Sequence, residues 1–238
     1  RQELRDPAPQ YTQFTHALPS FDLPIAAALP DPLPKIAITT PCKNAAAHLG
    51  EFFTLVDSFD YPKARIHLLL LEGDSSDDTY DVAAAALAER KGVYAGTTLL
   101  KQDIGLAFDG NRTRSQIQRA RRSAIATCRN HLLRAALETD ADYILCVDSD
   151  MAVIPPFALR QTLAFSAPIM MANCLRFDRM DVFDKNAFRY LRPVSDRLAK
   201  AYVLDGIYQP PSGFFRHYPD PVEGDDIEQI DSVGGTFL

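Results

Sequence analysis

At 238 residues, 47% hydrophobic and 24% charged, the chain is long enough for one good-sized domain, alone or with an extension. Its formal net charge of -6 gives the surface as a whole no attraction for nucleic acid, and no run of eighteen or more apolar residues is present to span a membrane. The opening residues RQELRDPAPQ lack the apolar core of a signal peptide, and DSVGGTFL at the other end reads as strand-like. The expectation is a piece of a longer protein, with any signal or anchor outside it.

Residues 1–34 hold seven prolines, from Pro7 to Pro34, and read as an irregular arm or stem leading into a domain over 35–238. KIAITT, from Lys35, predicts a first strand that Pro41 ends. NAAAHLGEFFTLVDSF follows with Ala46, Leu49, Phe53 and Val56 at helical spacing, and Asn44 is placed to cap that helix. RIHLLLLEG predicts a second strand, DSSDDTYDVAAAALAER a polar loop entering an Ala-rich helix, and AGTTLLK a third strand. A long helix from about Arg114 to Leu137 carries Ile117, Ala124, Cys128 and Leu132 on one stripe. DYILCV predicts the fourth strand, with a short helix after Pro156 and a further strand near PIMMANC.

Strands alternating with helices imply an α/β fold: a mostly parallel, Rossmann-like sheet with helices on both faces, in a single domain. Ligands in such sheets sit beyond the carboxyl ends of the strands, where TPCKN, EGDSSDDT, the Asp148 region and NCLRF all fall.

In YILCVDSDMAVIPP the fourth strand stops at Asp148-Ser149-Asp150. In extended chain, residues two apart point the same way, so both carboxylates can converge on one hard cation. Two carboxylates hold such an ion poorly, and a diphosphate would complete the site. The plain alternative is a polar turn whose Asp caps the helix near Pro156. A phosphatase is a third reading, with Asp148 as nucleophile and Asp150 as acid. That pattern calls for Thr at position 152, where Ala152 stands, and places its Asp strand first rather than fourth.

Between Arg114 and Leu137 there are six arginines (114, 119, 121, 122, 129 and 134) and no Asp or Glu. Arg122 and Arg129, two turns apart, share a helix face and suit an anion such as a nucleotide diphosphate. Most of such a run is ordinarily solvated surface, and Arg129, beside the apolar stripe, fits that description least. After the second strand, Gly73 permits a sharp turn and Asp74 could accept hydrogen bonds from a base or ribose, while Asp77 and Asp78 suit helix capping. Lys43 faces either a phosphate or solvent. The four cysteines form no CxxC pair, and the five histidines form no metal-binding spacing. Asn111-Arg112-Thr113 is a glycosylation sequon.

The string SAIATCRNHLLRAALETDADYILCVDSDM resembles family-two glycosyltransferases of the GT-A fold: an Arg-Asn helix, an apolar strand, then the DxD motif. KIAITTPCKNAAAHL, LLLLEGDSSDDT, RNHLL, DSDMAVIP and DSVGGTFL together are similar to the Golgi mannosyltransferases of glycosyltransferase family 62, which include subunits of the fungal α-1,6-mannan polymerases. The resemblance implies that Asp148 and Asp150 hold Mn²⁺ (or Mg²⁺) against the diphosphate of GDP-mannose. It implies that Thr40, Pro41, Lys43, Asp74, Arg122 and Arg129 lie on the nucleotide side, and Asn173, Arg176, Asp231, Gly234 and Gly235 on the donor-sugar and acceptor side. It further implies transfer of mannose with retention to a glycan acceptor, complexes with related subunits, and a Golgi lumen setting reached through an anchor outside this chain. A non-catalytic subunit and a transferase using another nucleotide sugar are the other readings. In that family a histidine shortly after the VGGT segment completes the metal site, and the given sequence stops before it.

Overall fold

Ile36–Cys42 forms the strand β1, and six of its seven residues are buried, as suits a strand covered on both faces. In this computed structural model the described residues are 28–105, 115–165, 167–176, 182–192, 194–204, 207–208, 215–219 and 227–238. They fall into two compact units: residues up to 172 together with 235–238, and residues within 173–234. The sequence reading drew no such division inside 35–238. The sequon and the stem up to residue 27 lie outside the described residues.

In the first unit β1 pairs in parallel with β2, Ile66–Glu72, from Ile36↔Ile66 to Cys42↔Glu72. β3, Gly96–Lys101, lies parallel to β2, and β4, Tyr143–Cys146, parallel to β1 on its other side. The order is β3-β2-β1-β4, so the chain steps outward twice and then returns across β1. The reversal between β1 and β4 is a topological switch point, where an open sheet leaves a crevice at its carboxyl edge.

Four helices accompany the sheet: α1, Ala46–Asp57; α2, Thr79–Glu89; α3, Ser115–Leu137; and α4, Ala158–Leu163. Leu132 and Ala136 of α3 join Ala37, Leu69 and Leu71 in one buried cluster, with Cys128 and Ile144 against it. The alternate strand residues Ile36, Ile38, Leu68 and Leu70 are at most 1% exposed on the opposite face, which makes the sheet covered on both sides. α1 buries Leu49, Phe52, Phe53 and Val56, adding Phe52 to the expected stripe.

Three expectations are corrected. Pro41 does not end β1, which runs on to Cys42. Thr39 O accepts the Val147 N–H on the β4 side, and Cys42 O accepts the Gly73 N–H on the β2 side. By this alternation the position of Pro41's missing N–H faces β4, where pairing has ceased, so no β1–β2 bond is lost.

The strand expected near PIMMANC is absent. The edge of β4 is taken instead by the chain terminus: Cys146 and Leu238 exchange both backbone bonds, at 2.7 and 3.0 Å, and Asp148 N–H donates to Thr236 O at 3.0 Å. Ala172 N–H donates to Phe237 O at 3.1 Å.

The strand-like DSVGGTFL is not one strand. It makes two isolated antiparallel bridges, Phe188↔Ser232 and Val147↔Phe237, with the Gly-Gly pair between them.

The second unit is built of short pieces. β5, Arg189–Tyr190, pairs antiparallel with β8, Arg216–His217, and β6, Val203–Leu204, with β7, Ile207–Tyr208. Helix α5, Asp196–Lys200, is capped by Ser195, whose hydroxyl accepts the Leu198 N–H.

Candidate functional site

The loops after β1 and β2 are fastened to each other. Asn44, at φ 49°, accepts the Ser76 N–H on Oδ1 at 2.8 Å, and its own N–H donates to Ser75 Oγ at 3.0 Å. Glu72, only 2% exposed at the end of β2, accepts the Ser75 N–H at 2.7 Å. Asn44 is therefore not the cap of α1. The N-terminus of α1 is served from the next loop: Thr79 Oγ1 accepts the N–H groups of Ala45 (2.7 Å) and Ala46 (3.1 Å), and Asp77 Oδ2 also accepts that of Ala46 (3.2 Å). Asp77 additionally takes the Thr79 N–H, while Asp78, which flanks α2, makes no side-chain cap bond. The hydrogen bonds from Thr79 hold the Asp77 carboxyl below the usual range.

Within this frame the sharp turn falls on Asp74 (φ 54°) rather than on Gly73. The Asp74 carboxylate accepts the Ile104 N–H at 3.1 Å and stands 4.0 Å from Lys43 Nζ. Lys43 thus faces a carboxylate at the strand ends rather than only solvent. Thr40 is fully buried and its hydroxyl lacks a hydrogen-bond partner among the described residues, so its side chain is not at the surface of the crevice.

On the other side of β1, Asp148 follows Val147, which is 0% exposed. The Cys42 thiol at the end of β1 donates to the Thr40 carbonyl, and Ser149 lies beside it. Asp150 is exposed and Asp148 half-buried. From α3, Arg129 Nη2 donates to Asp148 Oδ1 at 2.9 Å and to the Gly235 carbonyl at 2.8 Å, while its buried Nε has no partner among the described residues. Gly235 makes room for it, since a Cβ there would stand 1.9 Å from Arg129 Nη1. The expected reason for this glycine was close approach to a ligand; its observed neighbour is the arginine. The bond to Gly235 ties α3 to the terminal segment, and the bond to Asp148 places one guanidinium on the carboxylate that ends β4.

The capping alternative for Asp150 does not hold: α4 begins at Ala158, and Phe157 flanks it with no side-chain cap bond. Of the arginine run, Arg121, Arg122 and Arg134 are exposed and Arg129 engages the end of β4, while Arg114 and the side chain of Arg119 lie outside what the structure describes. Arg122 is thus not brought to Asp148 in the way Arg129 is.

In the second unit Asn173 and Arg176 are exposed. Asp231 Oδ2 accepts the Tyr190 N–H at 2.7 Å. A Cβ on Gly234 would stand 2.2 Å from Asp184 Oδ2, and Asp184 also accepts two bonds from Asn186.

Among the described residues no group of three or more His, Cys, Asp or Glu side chains could hold a metal by itself. The pair Asp148 and Asp150 offers oxygen only, which fits a hard cation such as Mn²⁺ or Mg²⁺ completed by ligand oxygens, and does not fit a closed zinc site.

Sequence reasoning missed Glu72, Ser75, Thr79 and Asp184. Glu72 alone carried a signal, as a carboxylate closing the otherwise apolar run LLLLE.

A family model described as Anp1 matches residues 31–238. The chain belongs to the Anp1 family. The resemblance read from the sequence, to mannan polymerase subunits, agrees with the curated relatives of this Anp1-family chain. It is 27% identical over 231 residues to the mannan polymerase II complex anp1 subunit of Schizosaccharomyces pombe, covering 87% of this chain and 53% of the relative. It is 24% identical over 228 residues to the mannan polymerase complex subunit mnn9 of the same yeast, covering 86% and 65%. The chain thus spans between half and two thirds of the length of these relatives. Among solved structures, a mannosyltransferase from Pyrobaculum calidifontis in complex with GDP-Man and Mn²⁺ aligns at 15% identity and TM-score 0.44, covering 64% of this chain and 38% of that one.

Proposed function

We propose that this Anp1-family chain forms the nucleotide-sugar half of a retaining, metal-dependent GT-A mannosyltransferase. The donor would be GDP-mannose and the acceptor a mannan or related glycan, extended through α-1,6 linkages. The observation that carries the reading is the position of Asp148 and Asp150 immediately beyond β4, at the switch point of the sheet, with Arg129 from α3 on Asp148.

In this reading Asp148 and Asp150 hold Mn²⁺ or Mg²⁺, and Arg129 and Lys43 add positive charge near the diphosphate. Asp74 receives the nucleoside, with Thr40 and Pro41 forming the strand end beneath it. Asn173, Arg176, Asp231, Gly234 and Gly235 belong to the donor-sugar and acceptor side. A bound cation would neutralise charge developing on the departing diphosphate. Retention places the incoming hydroxyl on the face the diphosphate leaves, so no side chain is assigned as general base.

The relatives' names as subunits of mannan polymerase complexes support assembly with related chains; the reading sets that work in the Golgi lumen. No helix among the described residues is long and apolar enough to cross a membrane; the reading assigns membrane attachment to an anchor outside this chain. Nucleic acid is no part of the reading. Those same subunit names favour one second reading, a member of the complex that binds nucleotide without turnover.

Thermal-shift titration with GDP, UDP and their sugars, with and without Mn²⁺, tests the proposal. Stabilisation by GDP-mannose that requires Mn²⁺ and vanishes in Asp150→Ala is expected. A chain indifferent to every nucleotide in Mn²⁺ would sink it. Binding with no mannose transferred by the assembled complex would favour the second reading.

A further inference from the structure

Arg129 sits on the carboxylate that the proposed cation would use. Its guanidinium contacts Asp148 Oδ1 at 2.9 Å, so two carboxylates and one guanidinium leave the pair Asp148/Asp150 with a single net negative charge. The arginine is not loosely placed. Its second bond, to the Gly235 carbonyl at 2.8 Å, anchors it to the terminal segment, and side chain and partner are both largely shielded from solvent, where charge interactions are stronger than in water. The absence of a Cβ at Gly235 is what leaves it that space.

A divalent cation approaching Asp148 alone meets a fixed positive charge. A diphosphate reverses the balance, because its oxygens attract both the cation and the guanidinium. We propose that Arg129 makes divalent-metal binding conditional on the nucleotide: it holds the affinity for metal alone low and sets the coupling between metal and nucleoside diphosphate. Gly235 is the residue that keeps it in place to do so. The inference rests on the metal-nucleotide reading above and adds to it an order, with the diphosphate required before the cation is held firmly. The coupling is reciprocal, so the cation strengthens nucleotide binding by the same factor.

The test measures Mn²⁺ binding by the loss of the free-ion electron paramagnetic resonance signal, with and without GDP, in the unaltered chain, Arg129→Gln and Gly235→Ala. In the unaltered chain GDP should tighten Mn²⁺ binding by about thirtyfold, within the usual range of site coupling. In Arg129→Gln, Mn²⁺ alone should bind about tenfold more tightly, and the gain from GDP should fall below about fivefold. Gly235→Ala should move the same way. Its Cβ meets the flexible end of Arg129, and Gly235 lies outside the left-handed region, so the arginine is displaced rather than the backbone.

Circular dichroism and the thermal midpoint show whether each variant is folded, and the two variants perturb the contact from opposite partners. Mn²⁺ alone binding equally or more weakly in both folded variants would overturn the inference and reduce Arg129 to orienting Asp148. If the unaltered chain and both variants all fail to bind Mn²⁺ even with GDP, the metal-nucleotide reading itself is overturned, and this inference with it.

Discussion

Gly234 and Asp184 occupy one another's space: a Cβ at 234 would lie 2.2 Å from Asp184 Oδ2 and 2.5 Å from its Cγ. Asp184 is only 9% exposed and accepts the backbone and side-chain N–H groups of Asn186, so it cannot swing away without leaving those donors. Gly234→Ala should therefore cost about 1–3 kcal/mol of stability through overpacking. In an Asp184→Ala background most of that additional cost should disappear. Urea unfolding of the two single variants and the double variant checks it; additive losses would show that the glycine serves something other than Asp184.

Thr79 is the residue on which the start of α1 depends, although it begins α2. Thr79→Val removes the acceptor for the Ala45 and Ala46 amides and should cost about 1–3 kcal/mol, whereas Thr79→Ser should cost less than about 1 kcal/mol. The measurement is equilibrium unfolding of both variants at neutral pH.

The same junction predicts a pH dependence on the acid side. Asp77 has a folded value below its unfolded one, so its contribution is fully present above the unfolded value and is lost as pH falls through the folded value. Asp77→Asn should thus narrow the stability difference from the parent chain as pH is lowered from 6 through the carboxylate range, read as thermal midpoints across a buffer series.

Asp74 has two separable duties. Asn tolerates the left-handed conformation and keeps an acceptor for the Ile104 N–H, so Asp74→Asn should alter stability by less than about 0.5 kcal/mol, while Asp74→Ala should cost about 1–2 kcal/mol. If the carboxylate receives the nucleoside, Asp74→Asn should nevertheless weaken GDP binding by about fivefold, the difference between a charged and a neutral acceptor. Calorimetric titration with GDP and Mn²⁺ distinguishes the two duties.

Cys42 should be chemically silent. Burial pushes its thiol up to about 12, with the neighbouring Ser149 acting in the opposite direction, and the residue is 3% exposed. Iodoacetamide at pH 8 should leave Cys42 unmodified in the folded chain and label it after denaturation, as read by peptide mass spectrometry.

The sheet was legible in the sequence because buried parallel strands are near-continuous apolar runs. IAITTPC, IHLLLLE and YILC could be placed to within a residue or two, and α3 announced itself through Cys128 and Leu132. The Asp148 turn was legible because a strand that buries Leu145 and Val147 must stop where carboxylates begin. What could not be read depends on partners distant in sequence. The cap of α1 lies on residues 31 to 34 positions away, the Gly234-Gly235 pair answers to Asp184 and Arg129, and the edge of β4 goes to 236–238 instead of 168–174. The unit within 173–234 was least legible, because two-residue strands carry no period to recognise.

The borrowed cap has a kinetic consequence. Amide protons at a helix start usually exchange with solvent by fraying of that helix alone. Those of Ala45 and Ala46 are held by Thr79 and Asp77, so they exchange only when the β2–α2 loop lets go. The turns on which Lys43 and Asp74 sit should accordingly open as one cooperative unit, and a ligand bridging them would slow exchange in both loops together.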